Sequence, residues 1–459
     1  MMKEEENENN LTYDTESNFN INNQLLNLEN NNVENYNNSN LNNFNNNINS
    51  KAEFENNYSN YQSFINNTIN TQNFFQINFN QNFSNENEFM IFPNFTNDNQ
   101  NSKNKNNQKI YSQLTIQDLN AINSIMLNDL SPQKIENNCH YLQMKILSNI
   151  NYSNDILFPF LYPNMLSLIN DQYGNSLYQS FIEVLNPKNL LKFLLLLKNN
   201  FLEISHSHNG TRVIQKLIEK SNFLKQGSNI IQKYLIEMIK GNVYELSNDE
   251  NANHIIQKYI INIHYPNNNF IYEELYQNFM FIAITKYGCC VIQKCLINGN
   301  KEQKEKLIYL VLKNTFTLIR NQFGNYVYQC VLMLKDENIN LKIIEIIYDN
   351  IIPLCKEKYS SNVIEKLFEI NNPIIVNQLI DYITNSESKV IELLTNKYGN
   401  YIIQKILSIC SDKNLFFRIL NIISKNIITI NNISFGKKII QKLIEKYPLL
   451  KELINKNKN

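Results

Sequence analysis

From residue 111 onward, one short pattern of polar and apolar positions recurs along the chain, as in the string TRVIQKLI over residues 211–218. Each copy has two polar residues, two apolar residues, a Gln or Glu followed by another residue, and two further apolar residues. In a helix, the third, fourth, seventh and eighth positions share one face, while the first, second and fifth share the opposite face. The pattern therefore predicts a helix that packs through one face and leaves the other free.

The pattern repeats with a nearly constant period. We number each copy from an anchor, the residue four positions before the Gln or Glu; the spacing between anchors is 36 residues in five intervals and 37 to 42 in the other three. Six of the nine glycines directly precede an anchor, at the predicted turn into the helix. Helical units of this length bury their apolar faces by stacking, so the period predicts an all-α fold, a curved α-solenoid. The nine anchors are Cys139, Asn175, Thr211, Asn253, Cys289, Asn325, Ser361, Asn400 and Lys437.

The predicted free face is as regular as the packed one. A solvated helix surface favours a mixture of Lys, Glu, Arg and Gln, whereas the fifth position here is Gln in seven of the first eight copies and Glu365 in the other. A Gln side chain presents one acceptor and two donors in a plane, which suits the edge of an unpaired base. The seven glutamines are Gln143, Gln179, Gln215, Gln257, Gln293, Gln329 and Gln404.

Two further columns accompany the glutamines. The anchor is either Asn or a small residue, and it is expected to help decide which base the Gln accepts. The next residue is often a flat side chain that can stack on a base: His140, Arg212, His254, Tyr326 and Tyr401. The other three copies have Ser176, Cys290 and Asn362 there. We expect weaker stacking beside Ser176 and Cys290, and Lys145 interrupts the apolar stripe of the first copy.

These residues resemble the Pumilio (PUF) family over about residues 111–459. The resemblance implies eight three-helix repeats with terminal caps, in which the anchor, the next residue and the fifth residue read one base of single-stranded RNA. It also implies that Asn with Gln reads uracil, that a small residue with Gln reads adenine, and that Ser361, Asn362 and Glu365 read guanine. RNA runs antiparallel to the protein in this family, so the implied target is 5′-UGUAUAUA-3′. The ninth copy, with Lys437, Lys438 and Gln441, resembles a cap that does not read a base.

The family resemblance further implies a cytoplasmic, post-transcriptional regulator that binds the 3′ untranslated region of mRNA, usually as a repressor, and acts as a monomer on RNA. Factors for mRNA deadenylation or translational repression are the implied partners of the convex face. Two other classes stay open at this stage. A protein-binding solenoid of HEAT or armadillo type is expected to have a varied face rather than a repeated Gln, and a nucleolar PUF-like ribosome-assembly factor is expected to depart from the base code.

Residues 1–110 have a different composition from the rest. Asn dominates this segment, which holds 13 acidic and 5 basic residues, against 29 acidic and 37 basic residues in the remainder. Its small apolar content predicts a disordered, low-complexity tail. Two interpretations of that tail remain: a prion-like segment that condenses with RNA, or a passenger of A/T-rich coding. The mildly basic remainder allows a polyanionic partner without requiring one.

Other kinds of site find little support in the sequence. The seven cysteines and five histidines show no spacing typical of metal ligands, and no nucleophile with a base or phosphate-binding loop appears. We therefore expect no enzyme activity, no metal and no cofactor. The acidic start does not resemble a signal peptide, and no uncharged apolar run of 18 residues predicts a membrane span.

Overall fold

A computed structural model of the protein describes residues 113–127, 130–223, 228–370 and 372–457. The described residues form helices, and no strand occurs among them. The tail predicted to be disordered, residues 1–110, lies outside the described part of the chain, so that prediction and the domain boundary at residue 110 stay predictions.

The first two repeats are irregular. Repeat one has two described helices, α1 (Ile116–Leu127) and α2 (Pro132–Ser148), and α2 carries the first anchor. Repeat two begins with a segment that departs from the α-helical form twice before the anchor helix. Its elements are α3 (Ile150–Tyr152), a π-helical stretch (Ser153–Leu157), α4 (Phe158–Leu161), a 3-10 turn (Tyr162–Asn164), α5 (Met165–Asn170) and α6 (Gly174–Val184).

Repeats three to eight each have a long helix, a short helix and an anchor helix, which confirms the three-helix unit that the family resemblance implied. In chain order they are α7 (Pro187–Asn199), α8 (Phe201–His206), α9 (Gly210–Phe223); α10 (Ser228–Ile239), α11 (Val243–Asn248), α12 (Asn253–Asn262); α13 (Asn269–Gln277), α14 (Phe279–Ala283), α15 (Gly288–Asn298); α16 (Lys301–Lys313), α17 (Thr315–Arg320), α18 (Gly324–Met333); α19 (Glu337–Ile347), a 3-10 turn (Tyr348–Asn350), α20 (Ile351–Cys355), α21 (Ser360–Leu367); and α22 (Pro373–Thr384), α23 (Glu387–Leu394), α24 (Gly399–Ile409). The cap has α25 (Lys413–Lys425), α26 (Ile427–Asn431), α27 (Gly436–Lys446) and α28 (Pro448–Lys456).

Several of the long helices begin at a side-chain cap. Asn300 accepts a hydrogen bond from the backbone N–H of Gln303, and the Gln303 side chain accepts one from the backbone N–H of Asn300. Asn186, Asp336 and Asp412 cap α7, α19 and α25 through their side-chain oxygens. Such a cap stabilises a helix start by about 1 kcal/mol, because it satisfies a backbone donor that has no partner within the helix.

The anchor helices form one continuous row, in which α2, α6, α9, α12, α15, α18, α21 and α24 each pack against the next. The predicted apolar stripe lies in the core between these helices; in α9 its four residues are fully buried: Val213, Ile214, Leu217 and Ile218. Each such burial stabilises the fold by roughly 1.5–3 kcal/mol. Because the same stripe is buried in successive anchor helices, the half-buried fifth positions of the repeats lie on the opposite face of each helix.

The interruption of the stripe at Lys145 has a structural explanation. Its ammonium lies 2.6 Å and 2.7 Å from the two carboxylate oxygens of Asp118, which is fully buried. Tyr141 and Tyr152 also donate to this carboxylate. Burial alone would raise the pKa of Asp118, but the hydrogen bonds from Lys145, Tyr152 and Thr115 lower it to about 2. The cluster therefore joins α1 to the first anchor helix by polar contacts where the other repeats use apolar ones.

Candidate nucleic-acid interface

The anchor side chains are buried in all eight repeats. Their exposed fractions lie between 1% for Asn325 and 7% for Ser361, whereas Lys437 of the ninth copy is exposed. Anchors expected on the free face are thus covered, because the neighbouring anchor helices pack close on both sides. The anchor can therefore act mainly through the residues it touches. The exposure of Lys437 agrees with a ninth copy that forms the terminal cap of the solenoid and does not read a base.

A close approach of the backbone sets the start of the anchor helix where glycine precedes the anchor. A Cβ on Gly288 would lie 2.4 Å from the carbonyl oxygen of Ile282, so only glycine fits without a shift. Repeat seven has Ser360 instead, and its hydroxyl donates to the carbonyl of Leu354 at 2.7 Å, again six residues earlier. The anchor helix is thereby held tightly against the short helix before it, which fixes the direction of the reading side chains.

The four Asn-anchored repeats share one hydrogen-bond arrangement. In repeat six, Asn325 donates both amide hydrogens to backbone carbonyls, those of Asn321 at 2.9 Å and Gln322 at 3.0 Å. Its Oδ1 accepts from Nε2 of Gln329 at 2.9 Å. The same bond joins Gln179 to Asn175, Gln257 to Asn253 and Gln404 to Asn400 at 2.9, 2.7 and 2.9 Å. The carboxamide of each glutamine is therefore held in one orientation.

The four repeats with a small anchor hold the fifth residue differently. Gln215 donates only weakly to Oγ1 of Thr211, at 3.4 Å, and Gln293 donates to the backbone carbonyl of Cys289 at 3.1 Å. In repeat one, Gln143 donates across to the backbone carbonyl of Ser176 at 3.3 Å. These glutamines occupy the same place in the helix as those of the Asn-anchored repeats, but none of them donates to the amide oxygen of an anchor.

Glu365 of repeat seven is the acidic member of the column. Within the described part of the chain its carboxylate makes no hydrogen bond and no ion pair, although it is half-buried like the glutamines. Burial raises its pKa, Glu369 adds to the increase, and Lys405 and Lys366 oppose it. A half-buried carboxylate without a partner can accept two hydrogen bonds from a ligand.

The second column is exposed beside the glutamines in seven repeats. Tyr326 and Tyr401 are 49% and 58% exposed, and the other exposed members are His140, Arg212, His254, Cys290 and Asn362. Ser176 differs, because its hydroxyl lies 2.9 Å from Sγ of Cys139 and donates to the carbonyl of Tyr173 at 2.6 Å. It joins repeats one and two instead of offering a flat surface.

Lysines that follow the reading glutamines are paired with acids of the preceding repeat. Lys216 and Lys220 lie 2.8 Å and 2.7 Å from the Glu183 carboxylate, and Lys258 lies 2.6 Å from Glu219. Partly exposed pairs of this kind contribute about 0–1 kcal/mol each to stability. Their larger effect is to neutralise cations beside the reading surface, which reduces its attraction for a polyanion.

Two features of the site were not recognised from the sequence. One is the lock between Cys139 and Ser176, which no pattern predicted. The other is a turn before each Asn anchor, in which Asp171, Asp249, Asn321 and Asn396 accept backbone hydrogen bonds. The turn could have been found from the sequence, since Asp or Asn occurs four positions before the anchor only where the anchor is Asn. Over the described residues, no group of His, Cys, Asp and Glu could hold a metal ion, and no helix is long and apolar enough to cross a membrane.

Comparison with known proteins bears directly on this arrangement. The model of the Pumilio-family RNA binding repeat matches six segments, each containing one anchor of repeats three to eight: residues 200–224, 242–275, 278–312, 314–347, 350–384 and 389–424. A Pumilio domain-containing protein of Schizosaccharomyces pombe is 31% identical over 326 residues, which cover 71% of this chain and 47% of the relative. Pumilio homolog 12 of Arabidopsis thaliana is 27% identical over 68% of this chain and 52% of its own length. The chain thus spans about half the length of these relatives.

Solved structures show the same fold. The Puf4 RNA binding domain, bound to an RNA 3′ UTR recognition sequence, has a TM-score of 0.60 and 29% identity, and the match covers 67% of this chain and 95% of that domain. The RNA-binding domain of yeast Puf5p bound to SMX2 RNA has a TM-score of 0.53 and 27% identity, over 74% of this chain and 99% of the domain. The repeat matches, the relatives and these structures agree with the pattern of anchors, and the chain belongs to the Pumilio (PUF) family.

Proposed function

We propose that residues 111–459 bind single-stranded RNA sequence-specifically, with one base per repeat and the target 5′-UGUAUAUA-3′. The observation that carries the proposal is the column of half-buried Gln side chains and Glu365, each with hydrogen-bonding groups left over, on one row of packed helices. Solved Puf4 and Puf5p domains with this fold are bound to RNA.

The Asn-anchored repeats suit uracil. Once Gln329 donates one amide hydrogen to Asn325, it keeps one N–H and its Oε1, a donor beside an acceptor. Uracil offers the complementary pair, N3–H beside a carbonyl. Repeats eight, six, four and two would thus read bases one, three, five and seven. In repeats five, three and one, the assignment of adenine to bases four, six and eight follows the family code.

Glu365 suits guanine at the second base. Among the four bases, only guanine offers two adjacent donors on its Watson–Crick edge, N1–H and the 2-amino group. Adenine and uracil would each direct a lone pair at a carboxylate that burial has already removed from water, which is costly. Exposed Tyr401 and Tyr326 would stack on the neighbouring bases.

Selection from a random RNA pool with residues 111–459 tests the proposal. We expect enrichment of UGUA followed by A/U bases, and direct binding of UGUAUAUA. The chain offers a matched control, because Gln404→Ala removes a reading residue, whereas Gln441→Ala removes the equivalent residue of the cap. The first should weaken binding about fivefold to a hundredfold and the second should not. Equal effects of the two changes, or an unenriched pool, would contradict the proposal.

The regulatory role is the second part of the proposal: a monomer on the 3′ UTR of cytoplasmic mRNA that represses translation, with deadenylation or repression factors on its outer surface. The 3′ UTR element bound by the Puf4 domain supports it. A reporter carrying UGUAUAUA in its 3′ UTR should yield less protein than one carrying UCUAUAUA when the chain is co-expressed. Equal yields with intact RNA binding would reject repression but not binding.

A further inference from the structure

The residue four positions before each anchor separates the two kinds of repeat. It is Asp171, Asp249, Asn321 or Asn396 in the four repeats anchored by Asn. In the other four it is Ile135, Ser207, Thr285 or Glu357. We call it the turn residue. It does not belong to the three predicted reading positions, yet its identity follows that of the anchor without exception.

Repeat six shows what the turn residue does. Oδ1 of Asn321 accepts hydrogen bonds from the backbone N–H groups of Phe323 at 2.8 Å and Gly324 at 2.9 Å. A side chain that bonds its own backbone two and three residues ahead closes a turn. The turn directs the carbonyls of Asn321 and Gln322 to the Asn325 side chain, which donates one amide hydrogen to each. The turn residue therefore holds the anchor amide in place.

The fixed anchor amide in turn sets the orientation of the reading glutamine. With both N–H groups used, the Asn325 side chain has only its Oδ1 left, and that oxygen accepts from Gln329. The orientation of the glutamine is thus set by a chain of bonds that starts at the turn residue. Repeat four repeats it: Asp249 accepts from two backbone N–H groups at 2.8 Å and 2.7 Å, and Gln257 donates to Asn253 at 2.7 Å.

The other repeats lack this chain of bonds. The Ser207 hydroxyl accepts from a single backbone N–H, that of Gly210 at 3.1 Å, and Thr285 likewise accepts only from Gly288, at 3.2 Å. A hydroxyl on Cβ is one atom shorter than a carboxamide or carboxylate oxygen, so it does not span both donors. No anchor amide exists in these repeats that would need two aligned carbonyls.

We propose that the turn residue is a positioning residue for uracil selectivity: by fixing the anchor Asn, it fixes the donor–acceptor order that the glutamine presents to the base. This inference rests on the proposed function, because it concerns which base an RNA-reading repeat prefers. The turn residue itself does not touch the base. Its removal should therefore reduce discrimination between bases more than it reduces overall RNA binding.

Removal of the side chain in repeat six is the first test. Asn321→Ala should lower the preference for U over A or C at the third base about fivefold, as expected when a cap of this kind is lost. Asn321→Asp should restore the preference, since two other repeats use Asp there. Ser207→Ala is the matched control in a repeat without an Asn anchor, and it should leave the preference at the sixth base unchanged.

The second test builds the turn residue and the Asn anchor into repeat three. It gains a function, so it does not depend on whether the fold tolerates the loss of a side chain. Thr211→Asn alone should shift the sixth base only partly from A towards U. Ser207→Asp together with Thr211→Asn should complete the shift, with a U-over-A ratio about fivefold above that of the single variant. Relative affinities for the two RNAs measure both tests, and thermal unfolding shows whether each variant is folded.

The outcomes separate the two proposals. If the unaltered chain does not bind UGUAUAUA, the proposed function fails. If it binds, but Asn321→Ala keeps its full U preference or the double variant of repeat three is no better than Thr211→Asn alone, the role of the turn residue is overturned. A uniform loss of affinity with an unchanged U preference would also overturn it, because that result is what a purely structural turn produces.

Discussion

Odd and even repeats of this solenoid both carry their reading residues on an anchor helix, but they differ in the groups that hold the reading side chain. In the even repeats, such as repeat eight, Oδ1 of Asn400 accepts a hydrogen bond from the amide of Gln404 at 2.9 Å. The Asn400 amide itself donates to two backbone carbonyls. In odd repeats three and five, a small anchor leaves the glutamine with a long bond at 3.4 Å or a backbone carbonyl. Glu365 of repeat seven has no partner among the described residues.

The difference indicates how one side-chain type can serve more than one base. Gln has the same hydrogen-bonding groups everywhere and donates one N–H within the protein in both classes, so we expect selectivity to come from the partner that orients it. In the even repeats that partner is the side-chain oxygen of an anchor Asn, which two backbone carbonyls hold in place. The residue next to the anchor follows a different division: it is flat in three even repeats and in odd repeats one and three, but it is Cys290 and Asn362 in odd repeats five and seven.

The conversion of an odd repeat into an even one should give the largest effect. Ser361→Asn with Glu365→Gln makes repeat seven a copy of its even neighbours at the reading positions. The double variant should prefer 5′-UUUAUAUA over 5′-UGUAUAUA, a swing of about 1–3 kcal/mol for each hydrogen-bonding pair exchanged. Competition binding with the two RNAs measures it. Continued preference for G at the second base would show that the assignment of residues to bases is wrong.

Stacking should separate repeats eight and five next. Tyr401→Ala in repeat eight should weaken RNA binding by about 1–3 kcal/mol, because a base loses its aromatic partner. Cys290→Ala in repeat five, where the exposed side chain is small, should change it far less, and Cys290→Tyr should strengthen it. Titration of labelled UGUAUAUA with each variant gives the comparison. A cost for Cys290→Ala equal to that for Tyr401→Ala would remove this distinction between the two repeats.

Acidification should affect the reading carboxylate of repeat seven and none of the reading glutamines. Because burial raises the pKa of Glu365, its carboxylate takes up a proton at a higher pH than an exposed Glu does. The protonated group no longer accepts two hydrogen bonds, so the preference for G is present above that raised pKa and is lost as the pH falls through it. Relative affinity for G and A at the second base, measured from about pH 8 to about pH 5, follows the loss.

The third base is the internal control of that titration. Its reader, Gln329, does not titrate, and the preference for U there should stay constant over the same range. The Glu365→Gln variant should likewise give a flat profile at the second base. A parallel decline at both bases would point to a general loss of folding or binding and not to the carboxylate.

Deletion of residues 1–110 should have the smallest effect, because every reading residue of both classes lies in residues 111–459. The shortened chain should bind UGUAUAUA with nearly the affinity of the full chain. Its salt dependence should also be shallow, with a log–log slope less steep than about −3.5, or fewer than about five phosphates neutralised. A tenfold loss of affinity on deletion would place part of the binding site in the Asn-rich segment.

The predictability of this protein differs between its two ends. Repeats three to eight followed from the period and from the apolar stripe, since the stripe residues of α9 are fully buried as expected. The first two repeats did not: a π-helical stretch at Ser153–Leu157 and the Lys145–Asp118 pair break the pattern locally. Such features depend on contacts between residues far apart in the chain, which a local pattern does not contain.

The sequence by itself determined the all-α solenoid, the number and phase of the repeats and the eight triplets of candidate reading residues, because all of these are periodic and helical periodicity is local. Only the tertiary structure decided that the anchors are buried and that Ser176 bonds to Cys139 instead of stacking. It also decided that the turn residue before every Asn anchor accepts backbone hydrogen bonds. Burial depends on how closely neighbouring helices pack. Whether a hydrogen bond forms depends on differences of a few tenths of an ångström in the distance between donor and acceptor. A pattern of residue types shows which groups could meet, whereas the packed helices decide which of them do.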